Sequence, residues 1–297
     1  MRKKFVRVSS WQTKAERCSF LNCSKDSKET RRTTSFKDGI LYGTKNISLF
    51  RCPICFSNVR FVDNSIICTN KHTFDISRKG LTTLYKTSKL KNNDLYSFDL
   101  FYNRRLFIQA GFYKELDELI VNIIKNRFIN LIILDIGCGE GTFGYNIAKN
   151  IPNDVTIGID LAKEGVLMAT DYLPYRYLPI LSDINNIPLN NNTCDVILDI
   201  LSPISKNEVY RILKEDGIII KVTPKKEYLF ELRTLLNIKE YENEDTIDKN
   251  IYQNYTVLNK FEINEKKSLN FETFINLIKM TPLTKFKASS GTSSNPT

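Results

Sequence analysis

Three cysteines and one histidine fall at a spacing that can close a metal site. Two residues separate Cys52 from Cys55, twelve separate Cys55 from Cys68, and three separate Cys68 from His72. His72 is the only histidine among 297 residues. The pattern suits a tetrahedral Cys3His zinc site with each ligand pair on a tight turn. Four protein ligands close the coordination sphere, so Zn2+ here would be structural. A redox C-x-x-C would need a thioredoxin-like βαβ setting. The runs Val59–Val62 and Ser65–Cys68 predict a β-hairpin ribbon instead.

A second constellation begins at Leu134-Asp-Ile-Gly137-Cys-Gly139-Glu-Gly141, an apolar strand ending in an acid and then a glycine turn. Glycines let the chain turn sharply and let a ligand approach the backbone. Dinucleotide enzymes use a related turn, but with G-x-G-x-x-G spacing. Here the third glycine comes two residues after the second. Asp135 precedes the turn, Asp160 ends the next strand, and Asp183-Ile184 ends the third. These residues point to S-adenosyl-L-methionine. Asp135 would face the ammonium of its methionine moiety, Asp160 its ribose hydroxyls and Asp183-Ile184 its adenine. Any one of these acids alone could be a helix cap. Three at successive strand ends beside a glycine turn are better explained by a ligand.

The elements that must position these groups are legible from residue 129 onward. Apolar strands are expected at 130–135, 155–160, 178–183, 194–200 and 217–223, separated by helix-length gaps. A sixth is expected at Tyr255–Val257 or Phe261–Ile263. Continuous apolar strands alternating with helices predict a doubly covered parallel sheet, an α/β Rossmann-like fold. Such a sheet binds ligands beyond the carboxyl ends of its strands. The domain plan is therefore a basic extension at 1–46, expected to be disordered, and a zinc ribbon at 47–87. A helical linker follows at 88–128, then the Rossmann-like domain at 129–287 and a disordered tail at 288–297.

Charge divides the chain in the same place. The first 110 residues carry a net +14 and the remainder −4. A basic module joined to a mildly acidic one suggests a polyanion held at the N-terminal side. Arg51, Arg60, Lys71, Arg78, Lys79, Lys86, Lys89 and Lys91 are the candidate phosphate contacts. No apolar run approaches the ~20 residues of a membrane span. Seven cysteines without a paired framework or signal peptide fit a reducing compartment, taken as the cytoplasm.

The order of motifs resembles the RlmA-type 23S rRNA (guanine-N1)-methyltransferases, over roughly residues 49–287. The resemblance is carried by the Cys/His cluster, His72-Thr-Phe-Asp75, Gln109-Ala-Gly-Phe-Tyr113 and Leu134–Gly141. Arg211-Ile-Leu-Lys-Glu-Asp-Gly, Lys221-Val-Thr-Pro224 and Met280-Thr-Pro282 complete it. It implies a class I S-adenosylmethionine-dependent methyltransferase domain behind a zinc module that grips a 23S rRNA hairpin. It also implies cofactor contacts from Tyr113, Gly139, Glu140 and Tyr228. N1 of guanine carries a proton at neutral pH, so transfer needs an acceptor. Asp199, in the loop after the fourth strand, is the candidate. A homodimer is compatible with these expectations. So are two other activities, methylation of a small molecule or protein, and RNA binding by a relative with impaired catalysis. The family continues to a last strand that class I sheets insert between the fifth and sixth. Here Ala288–Thr297 stands in its place, so two unpaired edges are expected there.

Overall fold

The computed structural model describes residues 3–10, 47–85, 96–125, 131–151, 155–175, 177–237, 255–264 and 266–281. Eleven strands are named in chain order. They are β1 (Lys3–Ser10), β2 (Val59–Val62), β3 (Ser65–Cys68), β4 (Thr73–Asp75), β5 (Thr82–Thr83) and β6 (Ile132–Ile136). The rest are β7 (Val155–Asp160), β8 (Tyr177–Leu181), β9 (Cys194–Ile200), β10 (Leu213–Pro224) and β11 (Tyr255–Ile263). The helices are α1 (Phe98–Gln109), α2 (Lys114–Lys125), α3 (Thr142–Asn150), α4 (Lys163–Ala169), α5 (Lys206–Ile212), α6 (Phe230–Leu235) and α7 (Phe271–Met280).

Eight strands form one parallel sheet in the order β11-β1-β10-β9-β6-β7-β8-β5. Strands β6, β7 and β8 run outward in one direction, and β9 then pairs on the opposite side of β6. The order therefore reverses between β6 and β9, which places the binding crevice at their carboxyl ends. The apolar strands are buried because both faces are covered. Ile133, Leu134, Ile157, Ile159, Ile197, Leu198 and Ile219 are all fully inside. Helix α2 shows how the cover is made. Its Leu116, Ile120 and Ile124 recur every four residues and are buried, while acids lie in its first turn and Lys125 in its last.

The extreme N-terminus departs from expectation. Residues 3–10 are a strand, and it fills the slot between β10 and β11, parallel to both. Phe5 and Val8 are fully buried and Val6 is 1% exposed. Lys3, itself buried, donates from Nζ to the carbonyls of Tyr210 and Leu213 and lies 4.4 Å above the Tyr210 ring. The expected disorder over 1–46 is thus corrected for this segment, and 11–46 lies outside the described residues. The expected pair of open edges is corrected too. Its physical reason is that a short Phe-Val-x-Val run supplies what the slot needs, apolar side chains and a free backbone. Burial of each such side chain contributes about 1.5–3 kcal/mol. Deleting residues 1–10 is expected to lower the melting temperature by about 10 °C or more. An unchanged melt, followed by circular dichroism, would show that the strand adds nothing.

Strands β2, β3 and β4 form a separate antiparallel sheet, the predicted ribbon. It is tied to the large sheet at three places. Strand β5 pairs with β8, Phe50 bridges Leu189, and Arg51 donates its backbone N–H to the Pro188 carbonyl at 3.1 Å. Arg51 also reaches Glu208 at 3.7 Å and lies 4.6 Å from the Phe56 ring centre. Half-buried and engaged, it docks the ribbon and is no longer a phosphate contact. Among the described candidates Arg60, Lys71, Arg78 and Lys79 stay exposed. Lys86, Lys89, Lys91 and the tail at 288–297 lie outside the described residues. No helix among those residues is long and apolar enough to cross a membrane.

Candidate active site and metal centre

Cys52, Cys55, Cys68 and His72 converge so that one ligand atom from each lies within 4.8 Å of all the others. Cys52 Sγ and Cys68 Sγ stand 3.6 Å and 3.4 Å from His72 Nδ1, and Cys55 Sγ is 3.7 Å from Cys68 Sγ. A tetrahedral zinc site has edges of roughly 3.4–3.8 Å, given metal–ligand bonds of about 2.0–2.3 Å. The residues fit the ion. Two tight turns present them. Ile54 and His72 donate backbone N–H groups to Cys52 Sγ and Cys68 Sγ at 3.4 Å and 3.2 Å. Phe56 and Lys71 take positive φ to close those turns. Burial pushes the Cys52 thiol up to about 11. A divalent cation supplies the opposing charge that thiolates need in such a place.

The glycine turn follows β6 at the crevice. Gly137, Gly139 and Gly141 all have positive φ. At Gly137 space matters as well, since a Cβ would lie 2.1 Å from Ser202 Oγ. The loop after β9 therefore bears directly on the turn. Asp160 accepts the backbone N–H of Gly139 and of Ala162, each at 2.8 Å. It thereby ties the end of β7 to the same turn. Asp135 is buried beneath it and accepts a hydrogen bond from the Tyr177 hydroxyl at 3.4 Å. Burial, then the charge of Asp160, lifts the Asp135 carboxyl to about 8. Such a lifted acid is costly, and groups of this kind concentrate at functional sites.

Apart from Asp199, the remaining sequence candidates fall into three groups. Tyr113 and Tyr228 come together, their hydroxyls 2.8 Å apart, with Tyr113 edge-on to Phe143 of α3. Asp183 and Ile184 lie one strand further out, beyond β8. There Asp183 accepts from the Asn185 backbone at 2.8 Å and Ile184 packs on the core. Glu140 turns inward. Its side chain accepts from the Thr142 hydroxyl and pairs with Arg105 at 3.4 Å, and its backbone carbonyl accepts from the same arginine at 3.3 Å.

Asp199, the candidate acceptor, lies inside the sheet at the end of β9. It is fully buried and paired with Lys221 Nζ at 2.7 Å. Burial lifts its carboxyl to about 6, against the pull of Lys221. Its Oδ2 is taken up by Lys221, and the carboxylate faces the inside of the sheet.

Helix α1, within the expected helical linker, reaches the glycine turn. Its Phe101 and Arg104 lie 3.1 Å and 3.3 Å from where a Gly139 Cβ would stand. Arg105 donates to Asp171 and to the Met168 carbonyl, both at 2.8 Å. This helix caps the turn, and its hydrophobic pattern is too irregular to announce that. Lys221 did carry a signal, being a lone charge inside the apolar strand Gly217-Ile-Ile-Ile-Lys221-Val.

Comparison with known proteins decides what the two centres belong to. Residues 129–268 match the family model described as "Methyltransferase domain", and residues 50–85 the model described as "RlmA, N-terminal". YxjB of Bacillus subtilis (strain 168), provisionally named a 23S rRNA (guanine-N1)-methyltransferase, is 34% identical over 261 residues. That alignment covers 81% of this chain and 88% of YxjB. The chain belongs to the RlmA-type 23S rRNA (guanine-N1)-methyltransferase family.

Within the same family, the 23S rRNA (guanine(748)-N(1))-methyltransferase of Streptomyces fradiae is 25% identical. That match covers 65% of this chain and 70% of the Streptomyces protein. A solved S-adenosylmethionine-dependent methyltransferase from Aquifex aeolicus matches 39% of the chain and 76% of its own, at TM-score 0.31 and 22% identity. The methyltransferase domain and the ribbon give the chain its two cofactors, S-adenosylmethionine and structural zinc.

Proposed function

We propose that this protein transfers the methyl group of S-adenosylmethionine to N1 of a guanine in a 23S rRNA hairpin. The observation that carries the proposal is the union of both family modules in one chain, with the Cys3His ribbon docked on the edge of the sheet that bears the glycine turn. When bound, the cofactor supplies an electron-poor methyl, so the protein's main task is alignment. Asp160 and the glycine turn would hold the nucleoside part, with Asp183 and Ile184 at the adenine side. Tyr113 and Tyr228 would line the methionine side, above the buried carboxyl of Asp135. The target base must leave its stack to reach such a crevice. The exposed Arg60, Lys71, Arg78 and Lys79 of the ribbon would hold the flanking phosphates.

Methylation of a small molecule or a protein would not call for this basic ribbon. A relative with impaired catalysis drew its support from a missing strand, and β1 occupies that slot. The proposed site of action is the cytoplasm, where rRNA is modified. A homodimer is a separate proposal, tested by mass in solution.

Tritiated methyl from the cofactor is expected to enter bulk RNA and not protein. RNA affinity should fall with salt by a log–log slope of about −0.7 for each phosphate neutralised on a single strand. A slope near zero, or label confined to protein, would overturn the RNA reading.

A further inference from the structure

The ion pair of Lys221 and Asp199 sits at the switch point itself. The two residues face each other across β9 and β10, and Asp199 also faces Ile136 of β6. Both are buried, at 3% and 0% exposed. Lys221 does more than neutralise a carboxylate. Its Nζ donates to Asp199 Oδ2 at 2.7 Å and to the carbonyl of Ser202 at 3.2 Å. Together with the backbone hydrogen bond that Asp199 itself takes from Ser202, the ammonium ties a strand end to the loop that leaves it.

That loop is held under constraint. Leu201 has φ +54°, a left-handed conformation that a leucine keeps only when its surroundings over-determine it. Its N–H donates to the Val222 carbonyl at 3.2 Å, one residue past Lys221. Ser202 then presses on Gly137, so closely that no Cβ could fit between them. Strand β10, the loop and the glycine turn are thus in register through Lys221.

We propose that Lys221 is a positioning residue for methyl transfer. It locks residues 201–203 against the cofactor turn and so fixes where the target base comes to rest. The proposal rests on the methyltransferase reading above. A pair that merely joined β9 to β10 would need no bond to Ser202.

Two variants test it. The double variant Lys221→Met with Asp199→Asn removes both charges and leaves no uncompensated ion. Lys221→Arg keeps the charge but moves its donors, since a planar fork cannot reproduce a compact ammonium. For each, the melting temperature, the cofactor Kd by calorimetry, and the kcat and KM on 23S rRNA are measured. The double variant is expected to melt near wild type and bind cofactor within about threefold, while kcat falls about thirtyfold or more at nearly constant KM. Lys221→Arg is expected to lose about tenfold in kcat with unchanged cofactor affinity. Wild-type kcat in either folded variant overturns the proposal, as does a loss that only tracks cofactor affinity. If the double variant does not fold, Lys221→Arg alone decides. Wild-type protein that leaves rRNA unmethylated overturns the methyltransferase reading and this proposal with it. Active wild type beside an unaffected variant overturns this proposal alone.

Discussion

Stripping the metal from Cys52, Cys55, Cys68 and His72 is expected to unfold the ribbon and abolish rRNA methylation, with cofactor affinity largely retained. The ribbon is too small to stand on apolar burial. Its strands are four, four and three residues long, and apart from the ligand Cys68 the buried apolar side chains those strands supply are Val59, Ile66 and Phe74. Structural zinc contributes about 10–16 kcal/mol of apparent binding energy in small finger peptides, and there that energy is folding energy. The glycine turn stands on other supports, β6, β7, α1 and the loop after β9. His72→Ala should therefore reproduce the effect of chelation. Hydrogen exchange would rise over residues 50–85, and methyl incorporation into 23S rRNA would fall by a factor of about a hundred. Calorimetry would still show S-adenosylmethionine binding. If chelated protein methylated rRNA at an undiminished rate, the ribbon would not be the grip.

The second large effect is a trade between stability and function at Asp135. Its carboxyl is lifted to about 8 in the folded protein by burial and by Asp160. A raised carboxyl favours the folded state only while it is protonated. Its contribution is fully present below the ordinary value near 4 and is lost as pH rises toward 8. At pH 8 the ionised carboxylate therefore costs several kcal/mol, on the order of 5 at most. Asp135→Asn keeps an acceptor for Tyr177 and removes the charge. The cofactor-free variant is expected to melt higher than wild type at pH 8, with the difference shrinking toward pH 4. It is also expected to bind S-adenosylmethionine at least about tenfold more weakly, since binding sites often hold such costly groups. Equal melting curves at pH 8 would show that the carboxylate is not under strain.

Some of this was readable in the sequence because the signals were local. Strands β7 and β9 begin and end where their apolar runs do, at Val155–Asp160 and Cys194–Ile200. The zinc ligands were legible because two tight turns fix their spacing. The glycine turn was legible because it needs positive φ at fixed positions. What stayed hidden depends on partners far along the chain. Strand β1 earns its place only beside β10 and β11, more than 200 residues away, and its apolar residues are diluted by Lys3, Lys4 and Arg7. Asp199 lies at the expected strand end, but nothing local says that its side chain points into the sheet toward Lys221. Arg51 reads as one more basic residue until Glu208 is found beside it.

The central claim is that this chain places a methyl on N1 of a guanine in 23S rRNA. A methyl at that atom blocks Watson–Crick pairing, so reverse transcriptase halts beside it. Unmodified 23S rRNA is incubated with the zinc-loaded protein and S-adenosylmethionine, then read by primer extension. The expected result is one new stop at a hairpin guanine, absent when cofactor is omitted. Full-length extension throughout, from folded protein shown to bind the cofactor, would contradict the account.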